Sequence, residues 1–287
     1  VNSQQFADWL ERKSQPATSV LFEKPLIMGI LNLTTDSFSD GGVFLQKEKA
    51  CEHALHLIAQ GADIIDVGGE SSKPGARAIS LDMELARVIP VIEYIRRNSE
   101  VCISIDTYKP EVMQAAVQAG ANIINDIYAL RQEGALPMAV QLKVPVCLMH
   151  MQGQPQDMQK NPSYPYGVMN DIVQFFSTRI AACLQAGVDK RDLILDPGFG
   201  FGKRVADNLN LIHHLKKVQQ FNLPLLLGVS RKSTIGVLLG KEVEDRLIGG
   251  LTFAIYAALE GVGIIRTHDP DETSQALRII DAISHAG

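Results

Sequence analysis

The stretch VCISIDTYKPEVMQAAVQAGANIINDI, residues 101–127, decides the fold. It opens on a short apolar run, VCISI (101–105), that ends at Asp106. An amphipathic segment follows over 110–119 and stops at Gly120, because glycine can take the left-handed conformation that ends a helix. A second apolar run, NIINDI (122–127), comes next. Near-continuous apolar runs of this length suit parallel strands covered by helices. The stretch therefore predicts one strand–helix–strand unit.

The same rhythm extends in both directions. Further apolar runs lie at 26–33, 62–67, 144–149, 192–196, 224–229 and 262–266, which makes eight in all. The spacing predicts helices over 47–60, 82–97, 168–186 and 243–260. The first puts Ala50, Ala54, Leu57 and Ile58 on one face. The second opens on Asp82 as an N-cap, with Glu84 in the first turn. Gly61, Gly187 and Gly261 repeat the stop signal of Gly120. Eight such units with right-handed crossovers close into an α/β fold of the (β/α)8 TIM barrel type. A doubly wound open sheet is the alternative.

A length of 287 residues fits two average domains or one barrel of ~250 residues. No shift in composition marks a second domain. Residues 25–287 are therefore expected to form one barrel domain, and 1–24 an N-terminal extension. A helix near 3–13 carrying Trp9 is expected to cover the barrel's bottom or an edge. The longest segment outside the rhythm is 150–166, a loop after the fifth strand.

A hydrophobic fraction of 46% excludes a disordered chain, and a net charge of −5 argues against a general nucleic-acid or membrane-surface binder. There is no run of 18 apolar residues and no basic-then-apolar opening. Cys51, Cys102, Cys147 and Cys183 show no CxxC spacing and lie in apolar or helical stretches. They read as reduced core cysteines of a cytoplasmic protein.

In a barrel of this kind chemistry sits at the C-terminal ends of the strands. The unusual polar residues gather there: Asn32 and Asp36, Asp66 and Glu70, Asp106, Asn125 and Asp126, His150, Asp196, Ser230-Arg231-Lys232, and Arg266, His268 and Asp269. No HExxH, GxSxG or paired-cysteine motif is present, and GFGFGK (198–203) fits neither GxxxxGK[ST] nor GxGxxG. A carboxylate at a strand end suits a ligand edge with two adjacent donors. Arg266 and His268 could hold an anionic group shared with a hard cation such as Mg²⁺. Loops 34–46 and 68–81 could close over the site.

Taken in order, MGILNLTTDSFSDGG (28–42), DVGGESSKPGA (66–76), SIDTYKP (104–110), INDI (124–127), LMHMQG (148–153), LDPGFGFGK (195–203), GVSRKS (228–233) and IRTHD (265–269) resemble the signatures of the dihydropteroate synthases, pterin-binding barrel enzymes of folate synthesis. The resemblance implies that p-aminobenzoate displaces diphosphate from 6-hydroxymethyl-7,8-dihydropterin diphosphate, with Mg²⁺ assisting. Asp196 matches the carboxylate that pairs with the pterin's 2-amino and ring N–H donors. Asn125 and Asp106 match readers of other pterin edges. Lys232 matches the lysine between pterin and p-aminobenzoate. Lys232, Asp106, Asp196 and Arg266 are the implied catalytic set. Arg266, His268 and Asn32 match the diphosphate group, with Asn32 on the metal, and Asp36 a loop residue of the closed state. Phe38, Ser72, Pro74, Phe201 and Ser230 match the p-aminobenzoate pocket. Lys232, Arg266 and His268 are then expected to concentrate positive charge on one rim. A homodimer through the later barrel helices is also implied.

Thr35 stands where the family usually has proline, and Ser72-Lys73-Pro74 where it usually has Thr-Arg-Pro. A lysine keeps the charge of arginine but not its planar fork. Plainer structural readings stand beside the functional ones. Asp66 reads as a hydrogen-bonded barrel-floor residue, His150 as a loop-orienting one, Asp126 as a partner of backbone N–H groups, and Arg231 as a loop support. Lys203 is open between a structural role and neutralising local carboxylates. Met149, Met151 and Met158 read as packing. The alternatives in function are a non-catalytic pterin-binding barrel of methyl-transfer systems and an inactive paralogue.

Overall fold

The computed structural model describes residues 1–14, 22–34 and 43–286, apart from the side chains of 43–46. Its strands are β1 (Leu26–Asn32), β2 (Ile64–Gly68), β3 (Cys102–Asp106), β4 (Ile123–Asp126), β5 (Val146–Met149), β6 (Leu193–Asp196), β7 (Leu226–Gly228) and β8 (Ile264–Thr267). Its helices are α1 (Ser3–Lys13), α2 (Val43–Ala59), α3 (Leu81–Asn98), α4 (Pro110–Ala119), α5 (Ala135–Leu142), α6 (Val168–Ala186), α7 (Val205–His213), α8 (Ser233–Leu239), α9 (Leu247–Leu259) and α10 (Pro270–Ser284).

The strands form one parallel sheet in the order β6-β5-β4-β3-β2-β1-β8-β7. Its two edges meet. Leu195 and Leu225 form a parallel bridge, and Leu195 N–H donates to the Pro224 carbonyl at 3.0 Å. The sheet is thus closed into a (β/α)8 barrel, and the open sheet is excluded.

Alternation along each strand sorts the residues. Ile27, Leu31, Ile65, Val67, Ile103, Ile105 and Leu195 point outward into the core beneath the helices. Met28, Ile64, Cys102, Ile123, Cys147, Ile194, Leu226 and Ile264 form an apolar floor inside the barrel. Phe6, Trp9 and Leu10 of α1 pack against that floor, so the helix carrying Trp9 covers the barrel's bottom. Asn2 caps α1 in a capping box with Gln5, and the Val1 carbonyl accepts from Cys102 N–H at 2.8 Å. Two residues further along β2, β3, β4 and β8 the inward positions become Asp66, Ser104, Asn125 and Arg266. The inner face therefore changes from apolar to polar within one pleat.

Two expectations need correction. The cap of α3 is Ser80, whose hydroxyl accepts from Met83 N–H, so Asp82 lies inside the first turn. The segment 243–260 is a 3₁₀ turn (Val243–Asp245) followed by α9. Arg246 separates the two, with its guanidinium donating to the carbonyls of Lys241 and Arg231 rather than extending into solvent. The four cysteines are free and buried, as read.

Candidate active site

The polar layer organises itself around Arg266. Its Nε donates to Asp66 Oδ2 at 2.6 Å and its Nη2 to Asp106 Oδ2 at 2.9 Å. Asn125 Nδ2 donates to the same Asp66 oxygen at 3.1 Å. Inward alternation brings these groups together although Arg266 and Asp66 lie 200 residues apart in sequence. Two carboxylates face one guanidinium in a closed interior. Burial, and then the charge of Asp66, push the Asp106 carboxyl above its usual range, and Arg266 offsets this only in part. Burial works against the Arg266 charge, but Asp66 and Asp106 outweigh it and raise that pKa. Asp66 is thus a hydrogen-bonded interior residue, one layer above the floor.

Asp196 ends β6 and is buried. Its Oδ1 accepts from Gly198 N–H at 2.7 Å, which fixes the plane of the carboxylate. Burial raises its pKa, against the opposing pull of the Gly198 N–H, Lys232, Lys203 and Arg266. Lys232 follows Arg231, whose backbone lies in the left-handed region (φ 57°), and stands at the N-cap of α8. That turn sends its ammonium to 4.0 Å from the centre of the Phe201 ring. Burial, and then the charge of Arg266, pull Lys232 down to about 8, with Asp196 and Asp106 opposing. Arg231 itself pairs with Asp269 at 2.5 Å and ties the β7 loop to the β8 loop, as its supporting role required.

Ser230 and His268 are joined, with Ser230 Oγ 2.9 Å from His268 Nδ1. Burial, then Arg266 and Arg231, push His268 down to about 3, so it is neutral at neutral pH. The expected positive rim of Lys232, Arg266 and His268 therefore needs correction. Arg266 is already ion-paired and His268 offers hydrogen bonds rather than charge.

Asn32, Gly68 and Asp106 stand in register on β1, β2 and β3. Asn32 Oδ1 and Asp106 Oδ2 flank the place that a Gly68 side chain would occupy, at 3.7 and 3.6 Å from it. A hard cation such as Mg²⁺ keeps several waters and takes one or two protein oxygens beside substrate phosphates. The Asn32 amide oxygen at the barrel mouth suits that sparse role. Among the described residues no group of three His, Cys, Asp or Glu gathers to hold a metal ion.

Around the mouth, Phe201 is half-buried against Ile127, Met149, Met151 and Met158, so the methionines pack as read. Ser72 is half-buried, whereas Lys73 and Pro74 are exposed. Thr35, Asp36 and Phe38 lie outside the described residues. Asp126 accepts from the N–H groups of Tyr128 and Leu130, the backbone role read for it.

Sequence reasoning missed the foot of the second loop. Lys109 Nζ donates to Glu70 at 2.8 Å and to Glu84 at 2.5 Å, Thr107 Oγ1 donates to Glu84, and Tyr108 Oη donates to Glu70. Glu84, read as a first-turn residue of a helix, is 1% exposed and serves this network. Burial opposes the Lys109 charge, but its bonds to the two glutamates prevail and raise its pKa. The run TYK after Asp106 was the available signal, since it places three polar-tipped side chains on one strand-end loop.

The family model for pterin binding enzymes matches residues 28–268. The dihydropteroate synthase of Escherichia coli K12 is 51% identical over 265 residues, covering 92% of this chain and 94% of that protein. The dihydropteroate synthase of Yersinia pestis, solved with a sulfonamide drug, superposes with a TM-score of 0.86 at 48% identity, covering 91% of this chain and 94% of its own. The Xanthomonas albilineans dihydropteroate synthase with 4-aminobenzoic acid gives a TM-score of 0.87 at 46% identity, covering 92% and 94%.

Proposed function

The chain belongs to the pterin-binding enzyme family, and from that premise we propose that it is a dihydropteroate synthase, a transferase of folate biosynthesis. It joins p-aminobenzoate to 6-hydroxymethyl-7,8-dihydropterin diphosphate and releases diphosphate. The observation that carries this reading is the strand-end set of Asp196, Asn125, Asp106 and Arg266, with Lys232 on Phe201 beside it. A planar heterocycle with adjacent N–H donors fits Asp196, and the remaining acceptors and donors of its rim fit Asp106 and Asn125.

The reaction breaks the methylene C–O bond, and the electron pair leaves with the diphosphate. The dihydropterin ring delocalises the positive charge left on the methylene. Asp106 and Asp196 stabilise that charge. Arg266, His268 and Asn32 receive the leaving diphosphate. For Arg266 this means turning part of its guanidinium from Asp106 towards the anion. Lys232 borders both substrates, and Phe201, Ser230, Ser72 and Pro74, with Phe38, wall the p-aminobenzoate side. The aniline nitrogen supplies the electron pair of the new C–N bond and sheds one proton, which leaves with the diphosphate. Exclusion of water from the site matters here, because water would otherwise capture the cation. Asn32 would offer an amide oxygen to a Mg²⁺ ion, and such an ion would add positive charge for the leaving group.

Residues 25–287 act as one barrel domain with 1–24 as its extension. A homodimer forms through α8, α9 and α10, which expose Val237, Leu239, Ile248, Leu259, Ile279 and Ile283. The enzyme works in the cytoplasm on small molecules. Among the described residues no helix is long and apolar enough to cross a membrane.

The test is release of diphosphate that depends on p-aminobenzoate. Asp196→Ala is expected to lower kcat/KM by about 10²-fold, the scale of one oriented contact. Near-normal turnover of Asp196→Ala would sink the pterin assignment. Chelation with EDTA is expected to abolish turnover and added Mg²⁺ to restore it, and full activity in metal-free buffer would remove the metal from the reaction.

A further inference from the structure

The lysine that ends GFGFGK, Lys203, is 3% exposed. Its ammonium donates to the Gly198 carbonyl at 2.8 Å, the Phe201 carbonyl at 3.1 Å and His150 Nδ1 at 2.9 Å. Those three acceptors use its three N–H groups, with the His150 carbonyl a longer fourth contact at 3.4 Å. His150 is 2% exposed, and its other nitrogen, Nε2, lies 2.9 Å from Asp171 Oδ1. Because Nδ1 must accept from Lys203, Nε2 carries the proton and donates to Asp171. The chain Asp171–His150–Lys203 thus has one consistent set of donors and acceptors. Burial first, and then the adjacent ammonium, hold His150 down to about 4, in keeping with a neutral ring.

The two carbonyls that Lys203 holds belong to residues that shape the site. Gly198 gives its N–H to Asp196 Oδ1. Phe201 presents its ring to Lys232. The loop is moulded on the long loop after β5. A Cβ on Gly198 would lie 1.9 Å from the His150 carbonyl oxygen, and one on Gly202 would lie 2.3 Å from that of Gln152, so both positions require glycine. Gln159 and Tyr164 donate to the carbonyls of Gly200 and Gly202. A rigid backbone of this kind holds reacting groups in register, and a misplacement of about 1 Å can cost 10²-fold in rate.

We propose that Lys203, oriented by His150 and Asp171, is the positioning residue that fixes the Asp196 carboxylate and the Phe201 ring relative to each other. This rests on the synthase reading above. It makes the glycine-rich motif a device for aiming a carboxylate and an aromatic wall, not a phosphate cradle.

The test compares Lys203→Met, His150→Leu and His150→Asn with wild type, and uses Leu10→Ala at the barrel floor as a control for lost stability. Binding of 6-hydroxymethylpterin is measured by calorimetry, KM for p-aminobenzoate and kcat by diphosphate release, all well below each variant's Tm. Lys203→Met is expected to weaken pterin binding and raise KM for p-aminobenzoate by about 10-fold or more, with a smaller change in kcat. His150→Leu should do the same. His150→Asn keeps an acceptor at the Nδ1 position and should stay within about 3-fold of wild type, by retaining the contact that orients the ammonium. Leu10→Ala should lower Tm and leave both constants unchanged. Wild-type constants in Lys203→Met overturn the proposal, as does an equal loss in Leu10→Ala or a failure of His150→Asn to differ from His150→Leu. A wild-type protein that binds no pterin overturns the synthase reading and the inference with it. Wild type that binds pterin but releases no diphosphate overturns the synthase reading alone, and the pterin affinities still decide the role of Lys203.

Discussion

Replacing Lys232 by methionine should make the protein more stable while removing its activity. The ammonium sits at the barrel mouth near Arg266, and the fold pulls its pKa from 10.5 to about 8. At about 1.36 kcal/mol per pKa unit, that displacement corresponds to an unfavourable contribution of about 3 kcal/mol for holding the charge at neutral pH. Lys232 is only half-buried, so water screens part of this, and about 1–2 kcal/mol is the working figure. The contact with Phe201 returns about 0.5–1 kcal/mol of it, which methionine replaces with a weaker sulfur–ring contact. The net gain expected from Lys232→Met is about 1 kcal/mol.

The sign has a pH signature. The folded pKa lies below the unfolded one, so between about 8 and 10.5 the unfolded chain holds more protons than the folded chain. Wild-type stability therefore rises with pH across that window, relative to a variant with no lysine there. The advantage of Lys232→Met is complete below about pH 8 and gone above 10.5. Urea denaturation of both proteins at pH 7 and pH 10.5, at one protein concentration, measures it. A variant less stable than wild type at pH 7 would refute the reasoning. So would an equal gain at both pH values, since packing rather than charge would then be the cause.

Two other substitutions probe the surrounding networks. Lys109→Met strips the counter-charge from Glu84, which is 1% exposed, and should cost about 3 kcal/mol, as breaking one side of a buried ion pair does. A loss under about 1 kcal/mol in urea denaturation would show that the foot of the second loop is held by other contacts. Asp66→Asn leaves Arg266 facing one carboxylate, so the Asp106 carboxyl should fall back towards its ordinary range. A ¹³C titration of the aspartate carboxyls reads this directly, and an unmoved Asp106 would mean that Asp66 does not contribute to raising it.

The strand–helix rhythm was legible because its signals are local. Gly61, Gly120, Gly187 and Gly261 all take the left-handed conformation expected of a helix stop. The boundaries of α6 follow the apolar pattern residue for residue. The break at Arg246 was not legible, and neither was the contact of its guanidinium with the carbonyl of Arg231, on a different loop. The site divides in the same way. That Asp106, Asn125, Asp196 and Arg266 lie at strand ends could be read from each run alone. Which group neutralises which could not, because Arg266 meets Asp66 and Asp106 only after the sheet has curled closed. The sequence likewise placed Glu84 in the first turn of a helix and left Lys203 open between a structural role and neutralising local carboxylates, without naming their partners. Their partners are supplied by packing, not by neighbours in sequence.

A net charge of −5 makes the local distribution of cations decisive for the site. Both substrates are anionic, so the site needs positive charge that the whole chain does not supply. Most cations near the mouth are already engaged. Arg266 is paired with Asp66 and Asp106, Arg231 with Asp269, and Lys109 with Glu70 and Glu84. Lys203 is saturated by carbonyls and His150. Among the described residues, Lys232 is the site cation whose ammonium has neither a carboxylate within ion-pair distance nor a hydrogen-bond acceptor, and the Phe201 ring is its neighbour instead. A group held that way is electrostatically unsatisfied until an anion arrives. The instability predicted for Lys232 and its fitness to meet the substrates are therefore one property. A carboxylate placed beside it would steady the empty protein and, by the same interaction, compete with the ligand.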